Sequence, residues 1–167
     1  MSLPSSFKTK LVAIAFGTMA SFSSFSVFAD QAEQIEISNA YAREVPPGAP
    51  ASASFMTLTN NSDQDIKLVE AQSGAAEVVE LHTHSNDNGV MRMRKIENIN
   101  IPAHGQAVLQ PGGLHIMLIE PVEPLQQGQT VKLKLKFEDG SQKAVSMPVK
   151  SLKTMSMPMN HNHGDMH

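Results

Sequence analysis

The sequence has 167 residues, a length that suits one ordinary domain with short extensions. Its 13 Lys and Arg against 16 Asp and Glu give a formal net charge of −3, which argues against a nucleic-acid-binding protein. It contains no cysteine, which excludes disulfides, thiolate metal sites, cysteine nucleophiles and a lipidated cysteine. The 11 Met and 7 His are therefore the residue types whose spacing needs an explanation.

Residues 1–29 have the features of a secretory signal peptide. Lys8 and Lys10 precede the apolar run 11–20, and small residues at Val27 and Ala29 mark a cleavage site. The strictly apolar run is about half as long as the roughly 20 residues that a membrane-spanning helix needs. We therefore expect cleavage after Ala29 and a periplasmic protein without a membrane anchor.

Most of the following sequence alternates apolar and polar residues, the period of a half-buried β-strand. Clusters of Pro, Gly and Asn interrupt the alternation about every ten residues, which favours an all-β, Ig-like antiparallel β-sandwich over residues 30–150. The first predicted strand begins at Ile35, and the others cover 51–59, 66–71, 77–84, 90–96, 107–110, 114–119, 131–137 and 144–147. The pattern stops after Lys150, so we expect residues 151–167 to be a flexible tail.

Three pairs of metal-capable side chains occur at positions i and i+2, which share one face of a strand. The pairs are His82 and His84, Met91 and Met93, and His115 and Met117. The first two pairs lie on neighbouring predicted strands joined by a polar turn. A hairpin with Asp87 and Asn88 at its tip would place His82 opposite Met93, near enough to share one ion.

Thioether and imidazole side chains together favour Cu(I) as the bound ion. Both are neutral ligands, and the soft thioether suits Cu(I) better than Cu(II). Zinc prefers thiolate or carboxylate ligands beside His, and Ca²⁺ or Mg²⁺ needs oxygen ligands. The alternative is that Met91, Met93 and Met117 fill gaps in an apolar core, as Met56 and Met147 are expected to do.

The order His82, ten residues, Met93, twenty-one residues, His115-x-Met117 forms a spaced motif. With the segments around it, this motif resembles the hallmark of the periplasmic copper chaperones of the PCu(A)C type. The supporting segments are 39–43, 46–48, 55–60, 79–82, 89–94 and 111–118. The resemblance covers about residues 35–150.

The resemblance implies a cupredoxin-like β-sandwich that binds Cu(I) at these four residues and delivers it to an acceptor. The acceptor it implies is a copper centre of a cytochrome c oxidase subunit, or a Sco-type protein. The sequence lacks the common motifs of hydrolases and nucleotide-binding enzymes, so we expect a carrier and not an enzyme. We also expect the protein to be a monomer. His84 stands where relatives are expected to have Met, and as an imidazole it would also allow Cu(II) binding. His84 and Met91 are both candidate auxiliary ligands.

The C-terminal tail carries a second group of candidate donors, which we expect to take Cu(II) through imidazoles and Cu(I) through thioethers. They are Met155, Met157, Met159, His161, His163, Met166 and His167. An inert solvated terminus is the alternative. Two other functions stay open: a periplasmic copper buffer or resistance protein without a dedicated acceptor, and an envelope interaction module whose Met and His are incidental.

Overall fold

A computed structural model describes residues 30–151, so the predicted signal peptide and all of the tail beyond Ser151 lie outside the described residues. The described part is one short helix followed by ten strands. The helix α1 is Gln31–Gln34, and the strands are β1 Ile35–Arg43, β2 Ala51–Asn60, β3 Ile66–Gln72, β4 Ala76–Asp87, β5 Val90–Lys95, β6 Ile99–Ile101, β7 Gln106–Leu109, β8 His115–Pro121, β9 Thr130–Phe137 and β10 Gln142–Lys150. The prediction of an all-β fold is confirmed.

The strands follow the order β5-β4-β8-β2-β1-β10-β9-β3-β6, with β7 pairing beside β8 along β2. Two sheets result, one made of β5, β4, β8, β2, β7 and β1, the other of β10, β9, β3 and β6. All of these pairs are antiparallel except β1 with β10, which pair in parallel where Ala42 lies beside Val149. The sandwich is therefore closed along one side by its first and last strands.

Buried side chains from both sheets form one apolar core. In β9 the apolar residues Val131, Leu133 and Leu135 are buried, while Lys132 and Lys134 between them are exposed, as their alternation predicts. Met56 and Met147 are 1% and 0% exposed, which confirms that these two methionines are core residues. The core thus accounts for some methionines of the fold and leaves others outside it.

Two elements were not predicted, because each is too short to carry a periodic pattern. Strand β6 has three residues, with Ile99 and Ile101 buried on either side of an exposed Asn100. Helix α1 has four residues and is capped by Asp30, whose Oδ1 accepts a hydrogen bond of 3.0 Å from the amide of Ala32. The cap satisfies one of the amides that a helix start leaves unpaired.

The β4–β5 hairpin has a different tip from the predicted one. Asn88 and Gly89 both have positive φ, of 53° and 87°, and they form the two-residue turn between Asp87 and Val90. Such a turn needs positive φ at both central residues, which Asn and Gly adopt at low cost. The predicted tip at Asp87 and Asn88 was therefore wrong by one residue, which shifts the pairing by two.

Candidate metal site

The histidines of β4 and β8 lie together on one face of the first sheet. His82 pairs directly with His115, and their ring centroids are 5.8 Å apart. The ring of His84, two residues further along β4, is 5.1 Å from that of His115. Two imidazoles that bind one ion through bonds of about 2 Å have ring centres roughly 5 Å apart, so His115 has a spacing to each of the other two rings that suits a pair of metal ligands.

His115 is the most enclosed of the three histidines, at 3% exposure. Its Nδ1 lies 3.0 Å from the carbonyl oxygen of Gly113, and because a carbonyl only accepts, the proton is on Nδ1 and the lone pair on Nε2. Burial lowers the pKa of His115, and electrostatic repulsion from His84, His82 and Arg43 lowers it further. The hydrogen bond to the Gly113 carbonyl raises the pKa, but the overall shift is downward. The neutral imidazole that a metal requires is thus the favoured form.

His84 is held less tightly by the same backbone oxygen. Its Nδ1 lies 3.4 Å from the carbonyl oxygen of Gly113, so it also has its proton on Nδ1 when it donates this bond. Nε2 of His84 is then the nitrogen with a free lone pair. His84, predicted as an auxiliary ligand, lies close to the predicted ligand His115.

His82 is oriented by a carboxylate that the sequence analysis did not single out. Its Nε2 lies 2.8 Å from Oε2 of Glu80, and Oε1 of Glu80 accepts a hydrogen bond of 2.7 Å from Nζ of Lys95. The bond from Lys95, followed by that from His82, lowers the pKa of Glu80. Nδ1 of His82 is buried without a hydrogen-bond partner. The sequence contained one indication of this contact: Glu80 lies two residues before His82, and residues at this spacing share one face of a strand.

The methionines lie on either side of the His82–His115 pair. Met93 is opposite His84 rather than His82, so the predicted pairing was wrong, and Lys95 lies opposite His82 instead. Because the shift is two residues, Met93 stays on the predicted face and is a diagonal neighbour of His82. Diagonal neighbours are about 7–8 Å apart, within reach of long side chains. The second predicted thioether, of Met117, is on β8 opposite Glu80.

Exposure separates these methionines from the core methionines. Met91 and Met93 are each 55% exposed, and Met117 is partly exposed. Met91 lies opposite Asn86, two residue pairs nearer the hairpin tip than Met93. All of β5 is exposed, and β5 is an edge strand, so solvent reaches this side of the cluster directly. Gap filling in an apolar core therefore does not explain Met91 or Met93.

The inner side of the cluster is lined by aromatic rings. The ring of Phe55 on β2 is 6.4 Å from His115, and that of Tyr41 on β1 is 5.2 Å from Phe55. Phe55 is buried and Tyr41 is partly exposed. The histidines thus have a dry apolar side toward β2 and an open side toward β5.

Histidines and carboxylates alone do not complete a metal site in residues 30–151, where no group of three or more of them is placed to hold an ion. Zinc would need such a group, since the sequence has no thiolate to offer. Sulfur from methionine is the donor that remains next to the imidazoles.

The predicted tail donors at residues 155–167 lie outside the described residues. No helix within residues 30–151 has the length and apolar character to cross a bilayer.

Comparison with known proteins agrees with this fold and identifies the relatives of the chain. Residues 35–149 match the LpqE-like family, described as "Putative lipoprotein LpqE-like". The "Putative lipoprotein Lxx21020" of Leifsonia xyli subsp. xyli (strain CTCB07) is 35% identical over 121 residues, which is 72% of each chain.

Solved structures with the same fold include copper-containing proteins. The solution structure of CuI-DR1885 from Deinococcus radiodurans is 38% identical, with a TM-score of 0.56, and the match covers 71% of this chain and 81% of that one. The copper-bound PCuAC domain from PmoF2 has a TM-score of 0.60 at 19% identity, covering 71% and 93%. At that identity, PmoF2 supports the cupredoxin-like β fold alone.

Proposed function

The chain belongs to the LpqE-like family and is similar to solved structures of PCuAC domains, and on that premise we propose that it is a copper chaperone that binds Cu(I). The observation that carries the proposal is the cluster of His82, His84 and His115 beside exposed methionines at a sheet edge. The proposed ligands are His82, Met93, His115 and Met117, with His84 and Met91 as auxiliary donors. The relative CuI-DR1885 supports the choice of ion.

The chemistry of the donors favours Cu(I) over the other common ions. Imidazole and thioether are neutral, so a filled site carries only the charge of the ion and can lie against the apolar side lined by Phe55. The lowered pKa of His115 favours the neutral imidazole, which reduces competition between protons and the metal for this side chain. Cu(II) would gain from the imidazoles but little from Met93 or Met117.

Delivery is proposed to proceed by ligand exchange without a change of oxidation state. Met93 is the exposed donor, and a thioether is a weak ligand, so an incoming ligand of the acceptor replaces it first. His115 is buried and anchored to Gly113, so it is the last donor to release the ion. The chaperone is thus a carrier and not an enzyme.

The proposed location and acceptor rest on the sequence. Cleavage after Ala29 would release the protein into the periplasm, where a copper centre of cytochrome c oxidase or a Sco-type protein would be the acceptor. The tail donors are proposed to bind further copper, as Cu(II) at the imidazoles and Cu(I) at the thioethers. A copper buffer is the second candidate, favoured by a number of Met and His donors that exceeds what one site needs.

Competition for Cu(I) against a chromophoric chelator tests the proposal. Replacing Met93→Leu removes the sulfur at nearly constant volume, and we expect it to weaken Cu(I) binding about tenfold, which is about 1.4 kcal/mol. The matched control Met56→Leu changes a core methionine and should leave the affinity unchanged. Absence of Cu(I) binding by the wild type, or equal affinities for both variants, would contradict the proposal. A transfer assay with a defined acceptor then separates a chaperone from a buffer.

A further inference from the structure

Glu80 links two side chains that face each other across the β4–β5 hairpin. Its two carboxylate oxygens bind different partners, Nε2 of His82 at 2.8 Å and Nζ of Lys95 at 2.7 Å. The side chains of Glu80 and His82 are only 21% and 14% exposed, so water competes little for the bond between them. Lys95 is the cross-strand partner of His82, a position fixed by the turn at Asn88 and Gly89.

This contact determines which nitrogen of His82 carries the proton. A neutral imidazole has one N–H, and an ionised carboxylate can only accept, so Glu80 holds the proton on Nε2. The lone pair is then on Nδ1, which is buried and has no hydrogen-bond partner. A buried nitrogen without a partner costs free energy, and an ion bound there would satisfy it.

His115 has the opposite arrangement. Its Nδ1 donates to the carbonyl of Gly113, so Nε2 is the nitrogen with the free lone pair. Since His82 and His115 are cross-strand partners, one imidazole offers Nδ1 and the other offers Nε2. Partners of this kind, which orient a metal-binding histidine from behind, typically change metal affinity 10- to 100-fold when they are removed.

We propose that Glu80 is a positioning residue for copper binding, which holds His82 in the Nε2–H form so that Nδ1 binds the ion while His115 binds through Nε2. This inference rests on the proposed function for the identity of the ion. Lys95 supports the arrangement by holding the second oxygen of Glu80, so that the carboxylate does not turn away from His82.

The first test measures the tautomer of His82 in the copper-free full-length chain by ¹⁵N NMR of the histidine rings. The wild type should have a protonated Nε2 and an unprotonated Nδ1, and Glu80→Leu should lose that preference. Glu70→Leu is the matched control, because Glu70 also accepts from a lysine, Lys136 at 3.2 Å, on a strand without histidine. A wild-type His82 protonated on Nδ1, or an unchanged tautomer in Glu80→Leu, would overturn the proposal.

The second test uses Cu(I) itself. In the loaded wild type, the ¹⁵N shift of Nδ1 of His82 should move on binding while Nε2 keeps its proton, a measurement that needs no variant. Glu80→Leu should bind Cu(I) about 10- to 100-fold more weakly, and Glu70→Leu should match the wild type. Cu(I) bound through Nε2 of His82, or equal affinity in the two variants, overturns the role of Glu80 and leaves the proposed function intact. If the wild type does not bind Cu(I), the proposed function is contradicted. The positioning role of Glu80 is then contradicted as well, even if His82 has the expected tautomer.

Discussion

The carbonyl oxygen of Gly113 is the common acceptor for two imidazoles, at 3.0 Å from His115 and 3.4 Å from His84. Both rings therefore keep Nε2 free, and two neighbouring imidazole nitrogens suit Cu(II) better than thioethers do. At the scale of single residues, His84 is the side chain expected to widen the range of ions that the site accepts. A methionine at this position would replace one imidazole by a thioether and so shift the preference of the site toward soft ions.

The variant His84→Met tests this role. We expect it to keep its Cu(I) affinity within about threefold and to bind about one Cu(II) equivalent fewer than the wild type, because an imidazole is exchanged for a thioether. Titration with Cu(II), followed by electron paramagnetic resonance, measures the difference. His104→Met is the control, since His104 is an exposed turn residue that contacts Asp63. Equal Cu(II) uptake by both variants would exclude His84 as a ligand.

At the scale of secondary-structure elements, the β4–β5 hairpin sets the relative positions of the proposed metal donors. Its tight turn places Met93 opposite His84 and Lys95 opposite His82. A different turn would shift these pairs and separate Lys95 from Glu80. The turn residues therefore control the site without touching it.

Replacing Gly89→Ala should destabilise the fold by about 1 kcal/mol, because φ is +87° there and a Cβ strains that conformation. Gly74→Ala is the matched control: its Cβ would likewise meet nothing within 4 Å, and its φ is not in the left-handed range. We expect the control to stay within about 0.5 kcal/mol of the wild type in urea unfolding. Cu(I) affinity should fall only for Gly89→Ala, and an equal fall in both variants would contradict control by the turn.

The β9–β10 turn contains a carboxylate whose ionisation is linked to folding. Asp139 accepts hydrogen bonds from the amides of Gln31 and Ser141, both at 2.9 Å. Partial burial raises the pKa of Asp139, but these bonds and that of the Ser141 hydroxyl outweigh it, so the pKa is lowered overall. A lowered carboxyl pKa stabilises the folded state above the pKa of the unfolded chain, about 3.9, and the contribution disappears as pH falls through the folded value.

Urea unfolding of the copper-free chain between pH 7 and pH 3 measures this linkage. Wild type should be more stable than Asp139→Asn at pH 7, and the difference should shrink as the pH falls below about 4. A difference that stays constant down to pH 3 would show that Asp139 acts through its shape and not through its charge.

The local alternation of apolar and polar residues predicts most strands, but it does not predict which strands pair with each other. The alternation in β9 and the i, i+2 spacing of His82 and His84 gave the correct faces, because period 2 is a property of the chain itself. The contact between His82 and His115 depends on β4 pairing with β8, a long-range choice that no local pattern determines. The hairpin register was predictable from Asn88-Gly89, since that pair strongly favours a two-residue turn.

At the scale of the whole molecule, the copper capacity is proposed to be divided between the folded cluster and the predicted donors of the C-terminal residues. Deleting residues 151–167 removes every predicted tail donor while leaving His82 and His115 in place. We expect fewer copper equivalents per chain and an unchanged affinity for the tightest Cu(I) ion. Metal analysis after dialysis, with chelator competition alongside, measures both, and unchanged stoichiometry would show that the tail is inert.

The parallel pairing of β1 with β10 has a consequence for biogenesis. Because the strand that begins the sandwich is completed by the one that ends it, the two sheets cannot be joined until the last strand is available. Pairing across almost the entire chain also makes folding slow, since loop-closure entropy opposes it before the contacts form. For a precursor that carries the predicted signal peptide, we therefore expect export before the sandwich is complete, and copper binding at the proposed site only after export.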